Sequence, residues 1–218
     1  MPSLLSEKTD RELRLQVGLA GVLFVALAIG VIWYYFTPKY ARVGYRPEQP
    51  VPFSHEIHAG QLGLSCLYCH THVDDSVFAN VPATQTCMNC HAKIQANSPL
   101  LAEVRASYES GRPVRWKKIH QLPDYAYFNH AVHVQRGVSC ISCHGKVNQM
   151  KVVFHAESLS MSWCLDCHRN PTPNLRPPSE VTNLDWQPPE GKTAAQVGLE
   201  IQERLLINPP ETCQACHR

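Results

Sequence analysis

Cys66-Leu67-Tyr68-Cys69-His70 is the stretch on which the reading of this chain turns. The same C-x-x-C-H pattern returns at Cys87-Met88-Asn89-Cys90-His91, Cys140-Ile141-Ser142-Cys143-His144, Cys164-Leu165-Asp166-Cys167-His168 and Cys213-Gln214-Ala215-Cys216-His217. Together the five motifs use all 10 cysteines of the 218-residue sequence. C-x-x-C-H is the attachment pattern of a c-type haem. Two thiols three residues apart on one turn reach the two vinyl groups of one porphyrin. The next residue then points beneath the iron, where an imidazole is the proximal ligand. The ten cysteines are therefore expected to hold five covalently bound haem c groups, with His70, His91, His144, His168 and His217 on the irons.

Other uses of paired cysteines fit less well. A redox dithiol needs no following histidine and belongs with a βαβ pattern, which the sequence does not show. Zinc sites pair two C-x-x-C units, so five units would leave one over. A disulfide framework gives no reason for a histidine after every second cysteine.

Composition agrees with an interior supplied largely by porphyrin. Hydrophobic residues make up 44% of the chain, many of them in one N-terminal run, and there are 17 prolines. The net charge of +2 gives no reason to expect nucleic acid or acidic partners. Covalent haem attachment of this kind is made outside the cytoplasm, which places the soluble part on the periplasmic, extracytoplasmic face of a bacterial cytoplasmic membrane.

Residues 1–16 are polar and form a cytoplasmic segment that includes Glu7, Lys8, Asp10, Arg11, Glu12 and Arg14. Val17 to Phe36 then runs without a charge, long enough to cross a bilayer as a helix, with Trp33, Tyr34 and Tyr35 at an interfacial position. A cleaved signal peptide would have a shorter apolar region and a small-residue cleavage site. This run ends in Trp-Tyr-Tyr-Phe-Thr-Pro, so residues 17–36 read as a retained single-pass signal anchor. The flanking Lys8, Arg11 and Arg14 against Lys39, Arg42 and Arg46 do not orient it; the haems do. Residues 37–52 form a tether broken by Pro38, Gly44, Pro47, Pro50 and Pro52. Residues 53–218 are the pentahaem domain.

That domain contains an internal repeat. Phe53-Ser54-His55-Glu56-Ile57-His58 precedes the first motif and Phe128-Asn129-His130-Ala131-Val132-His133 precedes the third. Each F-x-H-x-x-H is followed by Gly, an apolar residue, Ser and then C-x-x-C-H. This is a two-haem unit, a second copy of it, and a C-terminal addition. Between the copies, Ser98-Pro99 opens a helix that Gly111 ends, with Leu100, Leu101, Val104 and Tyr108 on one face. Trp116 to Tyr127 reads as an extended connector. Pro171 to Pro189 reads as an extended or polyproline strap, with a solvated linker as the alternative. Thr193-Ala194-Ala195-Gln196 is a capping box opening a helix to about Leu206, which Pro209 and Pro210 stop.

An iron that only carries electrons needs a second axial ligand. Seven of the 12 histidines lie outside the motifs: His55, His58, His72, His120, His130, His133 and His155. His55 and His130, about ten residues before a motif, can fold back over the distal face of their own haem. His58 and His133 point elsewhere and can reach a neighbouring haem. His72 is better aimed at another haem than at its own. His120, His155, Met150 and Met161 compete for what remains, and a thioether in place of imidazole would raise the potential. No G-x-G-x-x-G, Walker loop, G-x-S-x-G or H-E-x-x-H motif is present, and no catalytic residues are assigned.

F-S-H-E-I-H-A-G, C-L-Y-C-H-T-H, V-P-A-T-Q-T-C-M-N-C-H, L-P-D-Y-A-Y-F-N-H-A-V-H-V, C-I-S-C-H-G-K-V-N-Q-M and L-S-M-S-W-C-L-D-C-H-R-N-P, spread over residues 53–173, resemble multihaem cytochromes of the c3/c7 type. More specifically they resemble the pentahaem, membrane-anchored subunit of alternative complex III, a bacterial quinol-oxidising complex. The resemblance implies a mostly α fold with extensive irregular structure: one N-terminal transmembrane helix plus a c3/c7-like multihaem domain packed around five c-type haems. It implies an iron–sulfur subunit and polytopic quinone-site membrane subunits as partners, with electrons passing to a monohaem cytochrome or soluble carrier. By the same resemblance, the first histidine of F-x-H-x-x-H serves the following haem and the second another haem. His155 departs from that form, and Met161 is the better methionine candidate.

The expected role is a non-catalytic electron relay. The alternative is a stand-alone membrane quinol dehydrogenase feeding a periplasmic reductase. Such proteins usually keep a methionine or an open position near the first haem, where His55 and His58 stand here. The hexahaem subunit of a menaquinone reductase complex is a third possibility, disfavoured by the haem count. A haem enzyme would need an open iron, which the number of spare histidines argues against.

Overall fold

The computed structural model describes residues 6–36 and 42–217, so Pro38 and Lys39, named above as tether and flank, lie outside the described residues. The chain divides into two units, Met1–Val43 and Gly44–Arg218.

The first unit is one helix, α1 (Glu7–Phe36, 30 residues). It begins ten residues before the uncharged run. The reason is local: Ser6 Oγ accepts the Thr9 N–H at 3.3 Å, and Asp10 pairs with Arg14 one turn on at 2.8 Å. The charged segment thus continues the apolar helix instead of preceding it. Among the described residues α1 is the one helix long and apolar enough to cross a membrane.

The second unit is made of short helices and irregular chain. In order come a π-helical turn (Glu56–Gln61), α2 (Cys66–Cys69), α3 (Thr84–His91), a 3-10 turn (Pro99–Leu101) leading into α4 (Ala102–Ser110), α5 (His130–Gln135), α6 (Ile141–His144), α7 (Met161–Arg169), α8 (Ala194–Arg204) and α9 (Cys213–Cys216). Further 3-10 turns lie at Val147–Gln149, Thr172–Asn174 and Pro178–Glu180. Among the described residues β pairing is limited to two isolated bridges, Ala126 with His217 and Val138 with Leu175. Mostly helical structure with much irregular chain is what the sequence led us to expect.

Two small apolar clusters hold this unit. Val51, Val104 and Val114 form one, with Cys87, Met88, Leu101 and Trp116 against it. Leu175, Val197 and Ile201 form the other, with Val138, Trp186, Leu205 and Ile207. Ser98 caps the 3-10 turn that leads into α4, and α4 is closed by Gly111 at φ 70°. Its expected apolar stripe is narrower than its sequence spacing: Val104 is buried and Leu101 packs, but Leu100 and Tyr108 are exposed. Ser107 takes the remaining inward position and donates to Arg112 O at 2.5 Å.

The proline-rich stretch is the clearest correction. It is neither an extended strap nor a solvated linker. It folds into two 3-10 turns, and Leu175, Val181 and Leu184 are buried. α8 lies on the first of these turns so closely that a Cβ on Gly198 would meet Thr172 O. Both bonds of the Thr193–Gln196 capping box form, as the sequence predicts. The helix stops at Arg204, before the prolines, because Leu206 turns left-handed at φ 51° and Gln202 caps Ile207 O.

Candidate haem sites

The ten cysteines form no disulfide. The C-x-x-C pairs sit on or at the edge of α2, α3, α6, α7 and α9, which brings both thiols of a pair to one side and leaves the histidine within one residue of the helix end. Burial pushes several thiols up, Cys140 to about 11 and Cys143 to about 12, so they remain protonated.

Four of the five motif histidines share a mode of support. His70 Nδ1 donates to Asn80 O at 2.7 Å, His91 to Ile94 O at 2.9 Å, His168 to Pro210 O at 2.7 Å and His217 to Tyr125 O at 3.2 Å. A carbonyl only accepts, so Nδ1 carries the proton and Nε2 keeps its lone pair. His58, His130 and His133 do the same, to Ser54 O at 2.8 Å, Val77 O at 2.9 Å and Asn129 O at 2.8 Å. This is the outer support typical of a metal-bound imidazole.

The rings also face one another in pairs. Centroids of His55 and His70 are 6.5 Å apart and the rings nearly parallel, at 2°. His130 and His144 repeat this at 6.5 Å and 13°. His58 lies 6.1 Å from His91, and His133 lies 6.3 Å from His168. Two imidazoles on opposite sides of one iron, each with a metal–nitrogen bond of about 2 Å, stand about 6 Å apart centre to centre. Contact between bare rings would bring them closer. The residues present therefore fit an intervening haem iron. The buried His55 Nδ1, which has no hydrogen-bond partner, adds to this, because such a nitrogen is costly unless a ligand uses the ring.

Burial, reinforced by neighbouring histidine charge, holds His55 near 4 and His144 near 3, and it also lowers His133. All three are kept in the neutral, ligating form. The phenylalanine of F-x-H-x-x-H has a part that sequence reasoning missed. Phe53 stacks on His58 at 4.4 Å and meets His55 edge-on at 4.9 Å. Phe128 repeats this on His133 at 4.5 Å and His130 at 4.7 Å. The repeat of Phe at fixed spacing was the available signal. The carbonyls that hold the rings left none, since they belong to unrelated residue types.

The remaining candidates stand apart from these pairs. His72 is exposed and its Nδ1 meets Asp75 Oδ1 at 3.2 Å. His120 packs edge-on to His144 at 4.3 Å, too close to share an iron from opposite sides, and stacks on His155 at 5.2 Å. His155 is fully buried. Met150 is buried, with its methyl near Gly145, and Met161 is exposed on the first turn of α7.

Residues 126–218 match the family described as cytochrome c7 and related cytochrome c. That segment holds the second F-x-H-x-x-H histidine set and the last three motifs. Over 130 residues the chain is 34% identical to the menaquinone reductase, multihaem cytochrome c subunit, of Nitratidesulfovibrio vulgaris (strain Hildenborough). The aligned part is 58% of this chain and 60% of that protein, so the chain spans less than two thirds of its relative's length. With the helical architecture and the paired imidazoles, these matches make residues 126–218 similar to a c7-type multihaem cytochrome c.

Proposed function

We propose that this chain is the haem-bearing relay subunit of a membrane quinol:acceptor oxidoreductase. α1 anchors it in the bacterial cytoplasmic membrane, and its haem domain lies on the periplasmic side. The observation that carries the reading is the set of four opposed imidazole pairs. When bound, haem c supplies a one-electron couple. The chain's own residues set the rest. Cys66 and Cys69, Cys87 and Cys90, Cys140 and Cys143, Cys164 and Cys167, and Cys213 and Cys216 tether five porphyrins. His55 with His70, His58 with His91, His130 with His144, and His133 with His168 would hold four of the haem irons as imidazole pairs, an arrangement that would suit electron transfer. The backbone carbonyls fix ring orientation and so tune each potential.

The finer assignment is the pentahaem subunit of alternative complex III. Its partners would be an iron–sulfur subunit and polytopic quinone-site subunits, with electrons leaving to a monohaem cytochrome or soluble carrier. The similarity to a menaquinone reductase subunit supports a second reading, in which electrons enter from the periplasm and reduce quinone. Gentle detergent extraction followed by haem staining and mass identification tests the relay role. Co-migration with large membrane subunits supports it, and a lone chain that oxidises quinol overturns it. Haem reduction on adding a quinol, against haem oxidation on adding a quinone, then separates the two directions.

A further inference from the structure

The two copies of the repeat fold alike around their first motif. Leu64 N–H donates to His58 O at 3.0 Å and Val138 N–H to His133 O at 2.9 Å. Tyr68 N–H donates to Ser65 O at 3.1 Å and Ser142 N–H to Ser139 O at 3.0 Å. His70 N–H donates to Cys66 O at 2.8 Å and His144 N–H to Cys140 O at 2.9 Å. Residues 62–70 and 136–144 therefore correspond position by position.

In the second copy this edge is occupied. Gly137 O accepts the Arg176 N–H at 2.9 Å, Cys140 N–H donates to Val181 O at 3.3 Å, and Val138 bridges to Leu175. Arg136 donates to Leu205 O at 2.6 Å. In the first copy the same edge is bare. Gly63 O and the Cys66 N–H pair with no other described residue. Ser65 Oγ takes the Leu67 N–H and still has its own proton to give. Leu62, in the place of Arg136, is 65% exposed, and Leu64, Leu67 and Tyr68 are exposed with it. A porphyrin does not account for the difference, since at the position of Leu64 it is polypeptide that covers Val138.

The second copy shows what fits such an edge: irregular chain that offers an aliphatic side chain, an N–H and a carbonyl. Another molecule of this chain cannot supply it, because its own segment is already engaged, with Leu175 only 1% exposed. Bilayer hydrocarbon would leave Gly63 O and the Cys66 N–H unpaired. Charge narrows the choice further. From Ile57 to His91 the charged residues are Asp74 and Asp75 alone, whereas Val132 to His168 carries Arg136, Lys146, Lys151, Glu157 and Asp166. An uncharged edge rimmed by exposed apolar side chains suits an uncharged, apolar protein segment added along it. We infer that the edge from Leu62 to Tyr68 docks an uncharged, aliphatic segment of a different protein chain, which pairs its backbone with Gly63 O and the Cys66 N–H and lays an apolar side chain on Leu64. This deepens the relay reading and rests on it, the partner being a subunit of the same membrane complex. The first motif then lies at a contact between subunits, and the third inside this chain.

The test compares hydrogen exchange in the intact, detergent-extracted complex with that in the haem-loaded chain alone. Amides of residues 64–68 should exchange about tenfold or more slowly in the complex, and those of residues 138–142 equally in both. Leu64→Asp should lower co-migration of the partner subunits about tenfold at unchanged haem content, because docking would bury an unpaired charge. A photoreactive phenylalanine analogue in place of Leu62 should link, on illumination of the complex, to a peptide of a different subunit. Unchanged exchange in the intact complex, full co-migration of Leu64→Asp, or links only to lipid or to another molecule of this chain each overturns the inference. Those results leave the relay reading standing, since the complex is then intact. A chain that migrates alone and oxidises quinol sinks both.

Discussion

Residues 63–70 and 137–144 carry the same run, Gly–apolar–Ser–Cys-x-x-Cys-His, and the two copies have different surroundings. Both glycines are left-handed, at φ 64° for Gly63 and 85° for Gly137. A Cβ on Gly63 would meet nothing, whereas one on Gly137 would run into Arg176 O. Ser65 Oγ accepts the Leu67 N–H at 3.3 Å as a local helix cap. Ser139, 2% exposed, instead donates to Val181 O at 2.7 Å, across 42 residues of sequence. Leu64 is exposed, and Val138 packs on the cluster of Leu175, Val197 and Ile201. The local conformation belongs to the repeat. The environment belongs to residues 171–207, which fold over the second copy and not over the first. The lesson is that one haem-binding pattern can supply a nearly open site and a deeply covered one, with only later chain deciding which.

The histidine pairs provide the sharpest test of equivalence. His58→Ala and His133→Ala should each convert one low-spin iron to a high-spin one, seen by electron paramagnetic resonance of the oxidised protein. If only one of the two variants did so, the copies would not share their axial geometry. Backbone crowding should then separate them. Gly137→Ala should destabilise by about 2–4 kcal/mol, combining a strained φ with a clash against backbone, and Gly63→Ala by only about 1 kcal/mol. Matched urea unfolding curves would show this, and equal losses would break the comparison.

The serines should differ in the same sense by less. Ser139→Ala removes a buried hydrogen bond and leaves Val181 O with only the Cys140 N–H at 3.3 Å, and should cost about 1–1.5 kcal/mol. Ser65→Ala removes a cap and should cost about 0.5–1 kcal/mol. An effect as small is expected of Thr193→Ala, which undoes the capping box of α8, the helix that closes over the second copy. It should lower stability by about 1 kcal/mol, and protection of Val138 and Cys140 amides from hydrogen exchange should fall while that of Leu67 and Tyr68 holds.

Much of this could be read directly from residue order. C-x-x-C-H is a covalent and axial pattern completed within one turn, so its meaning does not depend on the rest of the fold. The F-x-H-x-x-H spacing places its histidines around a helical turn, and His55 and His130 face His70 and His144 as their distance from the motifs led us to expect. The capping box at Thr193 and the glycine stop at Gly111 were legible for the same reason, since each is satisfied by atoms a few residues away. The proline-rich stretch was misread because proline restricts φ but does not say whether Leu175 and Val181 will find a partner surface. His72 and His120 were grouped with the other spare histidines because a side chain's chemistry does not reveal which ring it will meet.

The sequence by itself determined the five C-x-x-C-H motifs, the repeat, the apolar N-terminal helix and the mostly helical character, because these rest on contacts within a turn or on periodicity. Tertiary structure alone decided that His58 meets His91 and His133 meets His168, that His120 crowds His144, that no described histidine faces His217, and that the second copy is covered. Those outcomes depend on which distant segments close around a common centre. Loop closure over tens of residues costs little more for one partner than for another, so residue order alone does not choose among them.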